Sequence, residues 1–212
     1  MRHPWSVLAL GAVVLTLAVS GCAGSTEPAS VGSGGGAEPP TTDAAAPGEL
    51  RAQGTVLQVD GEPAMLCLGP IMESYPPQCD GPEITEWDWS SVEGVESASG
   101  VTWGSYAVQG TWDGTAFTPT QPPIMLALYD PIREVDPATQ PENKGDASEE
   151  ELLEVQERLG NDEFVEPLTS WPENGYLFVS VVYDDGSIQR YVDATYGADV
   201  VQVRSALRDV EG

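Results

Sequence analysis

Apolar positions divide the chain into stretches of different character. Behind Arg2, Val7 to Val19 is an unbroken run of apolar, small and hydroxyl residues. It is shorter than the roughly 20 residues that a membrane-spanning helix needs, and it fits the core of an export signal over residues 1–21. Ala23 to Gly48 carries almost no apolar side chain: it is Gly, Ser, Ala, Pro and Thr, with Glu27, Glu38, Asp43 and a lone Val31. That composition cannot bury enough surface to fold, so residues 22–48 are expected to form a linker, spanning roughly 28 Å as a flexible coil.

From residue 49 the pattern changes to short alternating runs. Gly54 to Val59 alternates up to Asp60-Gly61, and Ala64 to Leu68 continues as an apolar run, which predicts a hairpin. A strand is expected from Val101 to Trp112, turned back by Asp113-Gly114 into Thr115 to Thr118, and Ile124 to Tyr129 reads as a further strand. Many short strands with regular turns predict a small barrel or sandwich over residues 49–130. A connection rich in Pro and acids follows over 131–147.

Residues 148–212 open with a helical period. Ser148 and Glu151 fit a capping box, Leu152, Val155 and Leu159 share one face, and Gly160 provides a stop. Glu149 to Glu151 fall in the first turn, where the helix dipole favours negative charge. Tyr176 to Tyr183, Asp184-Asp185-Gly186 and Ser187 to Val192 predict a hairpin, and Val200 to Leu207 a further strand. The expected fold class is therefore α+β: a small β-rich barrel or sandwich packed with an α-β-β-β unit, its helix lying across an antiparallel sheet.

The cysteines alter this picture. Val19-Ser20-Gly21-Cys22 resembles the lipobox of bacterial lipoproteins, which implies cleavage before Cys22 and a diacylglyceryl group on its thiol. The implied partner is a lipid membrane, held stably only because more than one acyl chain inserts. An exported domain lies where disulfides persist, so Cys67 and Cys79, with eleven residues between them, are expected to pair. The segments around Cys67-Leu68-Gly69, Tyr75-Pro76-Pro77-Gln78-Cys79 and Trp87-Asp88-Trp89 resemble uncharacterised exported lipoproteins of actinobacteria, as do Gly110 to Gly114 and Tyr191 to Leu207. The richness in Gly, Ala, Val and Pro fits such a source. The resemblance implies an address and a disulfide, and no activity.

Charge and side-chain chemistry narrow the function. Cleavage would remove His3, the only histidine, and Arg2, leaving 34 acidic side chains against seven basic ones. That surface disfavours nucleic acid. Without histidine, Ser-His-Asp and Cys-His nucleophile systems are excluded, and the lone lysine, Lys144, lies in an expected loop. No cofactor and no metal is expected. Asp184, Asp185 and Asp130 to Asp136 could offer oxygens to calcium, but no stretch matches a calcium-loop pattern and Asp-Asp-Gly is explained as a turn. Trp87, Trp89, Trp103, Trp112 and Trp171 could form an aromatic platform for glycan or peptide, with Trp87 and Trp89 facing one side of a strand; the bland reading is that they are core aromatics. The sequence therefore points to a non-catalytic lipoprotein that binds an envelope protein or glycan. The alternative is a histidine-free hydrolase of cell-wall glycan using two carboxylates.

Overall fold

The computed structural model describes residues 37–41, 43–130 and 135–210; the signal segment 1–21 and Cys22 lie outside them. The first half is built on β1 (Glu49–Val59), which turns through Asp60-Gly61 into β2 (Met65–Cys67), the expected hairpin. β3 (Glu83–Ile84) and β4 (Glu96–Ala98) are short; β5 (Val101–Trp112) is long and turns at Asp113-Gly114 into β6 (Ala116–Pro119), again as expected. Of the strand expected over Ile124 to Tyr129, only β7 (Ile124–Met125) pairs, against β5, and Leu126–Leu128 winds into a 3-10 turn.

The barrel alternative holds. β1 pairs with β2, β2 with β3, β3 with β6, β6 with β5, and β5 with β1 along its full length, so five strands close on themselves. Among these barrel pairings only β3–β6 is parallel. Alternation along β1 and β5 sends Leu50, Val56, Tyr106 and Val108 inward, where Leu66, Ile84 and Phe117 join them. Leu57 and Trp103 point outward and pack with Cys67 on the outer surface. Cys67 and Cys79 are joined by a disulfide. Tyr75, on the loop they close, sets its ring edge-on to Trp103 at 5.5 Å.

The second half contains α1 (Glu149–Leu159), β8 (Thr169–Glu173), β9 (Tyr176–Val181), α2 (Ser187–Tyr196), β10 (Val201–Ser205) and β11 (Arg208–Asp209). The capping box forms as expected: Ser148 Oγ accepts from the Glu151 N–H, and Glu151 accepts from the Ser148 N–H. The expected hairpin after β9 does not form. Ser187–Tyr196 is a helix, and β10 runs parallel to β9, so the order is α-β-β-α-β and the sheet is mixed rather than antiparallel. The cause is local. Ile188, Tyr191, Val192 and Tyr196 recur at helical spacing, and Asp184 turns the Asp-Asp-Gly segment into a helix start by accepting from the Gly186, Ile188 and Gln189 N–H groups. The hairpin actually present lies earlier. Asn174 (φ 49°) and Gly175 (φ 79°) join β8 to β9 with the paired positive φ of a type I′ turn.

Both helices cover one face of this sheet, where Leu152, Val155, Leu159 and Val192 meet Leu177, Val179 and Val181. The two cores are stitched together by chain crossing between them. After β10, Leu207 enters the barrel core with no exposed surface, and β11 pairs with β1. The last part of the expected linker also takes part. Ala37 packs on the second core, Pro40 is buried, the Thr41 N–H donates to Ser187 Oγ, and the Ala46 N–H donates to the Trp112 carbonyl. Gly114 (φ 103°) permits this crossing: a Cβ there would lie 2.1 Å from the Asp43 carbonyl oxygen.

Candidate functional site

The site grows from the face of the three-stranded sheet that the helices leave uncovered. Because alternate residues of β9 face opposite ways, Phe178 and Ser180 project away from α1 and α2. Trp171, the cross-strand partner of Phe178, stacks on it with ring centroids 5.5 Å apart and planes 12° from parallel. On the other flank the Arg204 guanidinium lies 5.3 Å from the Phe178 ring centre. A row of Trp171, Phe178 and Arg204 thus crosses β8, β9 and β10. Trp171 is on the edge strand, 38% exposed, and its Nε1–H donates to Glu173 Oε2 at 3.0 Å.

Part of the connection over 131–147 is fastened across this face. Asp136 caps a 3-10 turn, Pro137–Thr139, by accepting from the Ala138 N–H, and Asn174 Nδ2 donates to the Ala138 and Gln140 carbonyls. Asp136 also accepts from Arg204 Nε at 2.5 Å and Nη2 at 3.1 Å, a two-pronged ion pair with each side chain 30% exposed. The hydrogen bonds from Arg204 hold the Asp136 carboxyl below the usual carboxylate range against the opposing effect of burial. Arg204 Nη1 and Nη2 donate further to the Val203 carbonyl and Gln202 Oε1, which fixes the guanidinium in place.

Between this face and the outer surface of β1 lies a cleft of about 530 Å³, walled by Arg51, Tyr129, Asp136, Trp171, Arg204 and Arg208 among others. Arg51 and Arg208 are direct cross-strand partners on β1 and β11. Three of the eight basic residues of the chain therefore meet in one place on a protein with a formal charge of −26. The adjoining hollow, of about 580 Å³, shares these arginines and adds Tyr183, Asp184 and Asp209.

The residues singled out from the sequence lie elsewhere. Trp87 and Trp89 meet edge to face at 5.6 Å and pack, half-buried, against the barrel core, Trp87 lying 5.1 Å from Tyr106. Trp89 Nε1–H donates to Gln58 Oε1 at 2.6 Å. Trp112 is buried in the same core and Trp103 on the outer surface, so the five tryptophans are not assembled into one platform. Asp184 and Asp185 are spent on the start of α2. No group of three or more His, Cys, Asp or Glu side chains among the described residues is arranged to hold a metal ion. Compared with family models, curated proteins and solved structures, the chain matches none. Sequence reasoning missed Arg51, Arg204 and Arg208; the available signal was their scarcity, since a basic residue on so acidic a chain is conspicuous.

Proposed function

We propose that the protein is an exported lipoprotein, cleaved before Cys22 and held by acyl chains on that residue at the extracytoplasmic face of a cell membrane, where its folded domain binds an envelope component without catalysing a reaction. The disulfide between Cys67 and Cys79 supports a destination outside the reducing cytoplasm. The observation that carries binding over glycan hydrolysis is the carboxylate content of the cleft. Asp136 is the one carboxylate among its described lining residues, and Arg204 holds it in the ionised form. A two-carboxylate glycosidase needs a partner acid whose pKa is raised so that it can protonate the leaving group. The barrel supports the same reading: its strand order, with one parallel pair closing a Greek key, is that of OB-type barrels, a scaffold used to bind saccharides and oligonucleotides. We assign recognition to Trp171 rather than to Trp87 and Trp89, because the latter pack against the barrel core.

Two measurements test this. Metabolic labelling with a fatty-acid analogue should tag the wild type and not Cys22→Ala; label persisting in the variant refutes the anchor. Cross-linking of the intact lipoprotein in cell envelopes should capture material that Trp171→Ala loses. Cleavage of wall glycan by the protein, abolished in Asp136→Asn, would instead establish the hydrolase.

A further inference from the structure

We propose that the outer face of the barrel beneath the disulfide loop docks a basic polypeptide segment, one that mixes Lys or Arg with apolar side chains. This face shares no residue with the lining of the Trp171 cleft, and the inference does not depend on that cleft.

The face is written in the strand registers. Glu96, Trp103, Leu57, Met65 and Glu83 are successive cross-strand partners on β4, β5, β1, β2 and β3. Directly opposed residues project to the same side of a sheet. The row, about 19 Å long at about 4.8 Å per strand, therefore sets three apolar side chains outside the barrel with an exposed carboxylate at each end. Val59 and Val101, paired two residues further along β1 and β5, continue the apolar surface, and Val59 is exposed.

The loop closed by Cys67 and Cys79 adds to it. Tyr75 contacts Trp103 with the edge of its ring yet is 76% exposed, and Met72 is 64% exposed. Exposed apolar side chains grouped within a polar rim mark a surface that meets another molecule. The Met72–Gln78 bridge and the bond from Ser74 Oγ to the Pro76 carbonyl brace the tip of the loop, so it is presented at little further cost in entropy. Tyr is a frequent anchor of protein interfaces, and Met adapts to varied partners.

Charge selects the partner. Between Arg51 and Arg133 the sequence has no Lys, Arg or His, and it carries eleven Asp and Glu. Glu73 adjoins Met72 on the loop, and Glu62 lies in the turn after Val59. The side chains of Glu62, Glu73, Glu83 and Glu96 make no hydrogen bond or ion pair with a described residue. An apolar surface in such a frame repels an anionic bilayer, a nucleic acid and a second copy of itself. It attracts a cationic segment whose apolar residues cover Tyr75 and Met72.

The test uses the full-length lipoprotein in neutral detergent micelles and short fluorescent peptides of Lys/Leu, Glu/Leu and Lys/Ser composition, with binding read as anisotropy above that of empty micelles. The Lys/Leu peptide should bind about tenfold more tightly than either control, and should weaken as salt rises from about 0.05 to about 0.5 M. Tyr75→Ser and Met72→Ser should each weaken it several-fold, and Glu83→Gln combined with Glu96→Gln should flatten its salt dependence; circular dichroism verifies each fold. Leu153→Ser, an exposed apolar position among the acids of α1, should leave it unchanged. Equal binding of the Glu/Leu peptide overturns the cationic partner. Full binding by both loop variants, or an equal loss in Leu153→Ser, refutes the site. In cell envelopes a photo-cross-linker in place of Tyr75 should capture a protein segment of net positive charge, whether or not capture through Trp171 succeeds. Capture of lipid, of an acidic segment or of a second copy overturns the proposal.

Discussion

Leu207 belongs by sequence to the second half of the domain and by packing to the first. It follows β10, has no exposed surface, and lies among the side chains that fill the barrel. Leu207→Ala removes three buried carbons, worth about 2.4 kcal/mol by transfer at about 0.8 kcal/mol each, and the cavity left behind raises the cost to roughly 3–4 kcal/mol. That is a large share of the roughly 5–15 kcal/mol that holds a domain folded. With a urea dependence of about 2–3 kcal/mol per molar, the midpoint should fall by about 1.5 M. Two probes separate the halves. On a Trp171→Phe background, which removes the tryptophan of β8, Trp87, Trp89, Trp103 and Trp112 report the barrel by fluorescence, whereas α1 and α2 report the second core by far-ultraviolet circular dichroism. Because Leu207 and β11 tie the halves together, both transitions should move together. Leu159→Ala, a change wholly within the second core, should drag the tryptophan signal in the same way. A helical transition that keeps its wild-type midpoint while the fluorescence transition moves would refute the claim that the two cores form one cooperative unit.

Replacing Cys67 and Cys79 together with Ser should cost about 3 kcal/mol, the loop-closure value for a sequence separation of 12, and mass spectrometry of the wild type under non-reducing conditions should find the two joined. Asp136→Asn should cost roughly 1–3 kcal/mol near neutral pH by leaving Arg204 without its carboxylate. Since the carboxyl is held below its ordinary value in the folded state, the wild-type advantage should be complete above about pH 5 and shrink as pH falls through the folded pKa, measured as unfolding midpoints over a pH series. Asp162→Asn should loosen the joint between α1 and α2, because the Tyr191 and Tyr196 hydroxyls both donate to that carboxylate; hydrogen exchange should quicken in α2 more than in the barrel.

Elements written in consecutive residues were legible in the sequence. The β1–β2 and β5–β6 hairpins follow from Asp-Gly turns between alternating runs, and α1 follows from its capping box and apolar stripe. Ser187 to Val192 reads as a strand because Ile188, Tyr191 and Val192 fit a strand as well as a helix when few residues are counted; the arbiter is Asp184, whose carboxylate has a local task at a helix start. The Asn174-Gly175 turn was available and marks β8. Barrel closure was not legible, since it depends on β1 pairing with β5 some fifty residues away. The cleft was less so. Arg51 meets Arg208 only after β11 returns across the whole domain, and neither residue has a neighbour in sequence that hints at the other.

That return also brings the end of β11 back to the start of β1. β1 opens at Glu49, and the Val210 N–H donates to the Glu49 carbonyl, so the start of β1 and the end of β11 meet at one spot. A load drawn on Val210 against β1 falls first on the short β1–β11 seam, which opens like a zipper, while the Ala46–Trp112 bond and the packing of Ala37 hold the preceding segment to both cores. A force on the chain at Val210 would thus peel away Arg208, and with it one wall of the cleft, before it unfolded either core.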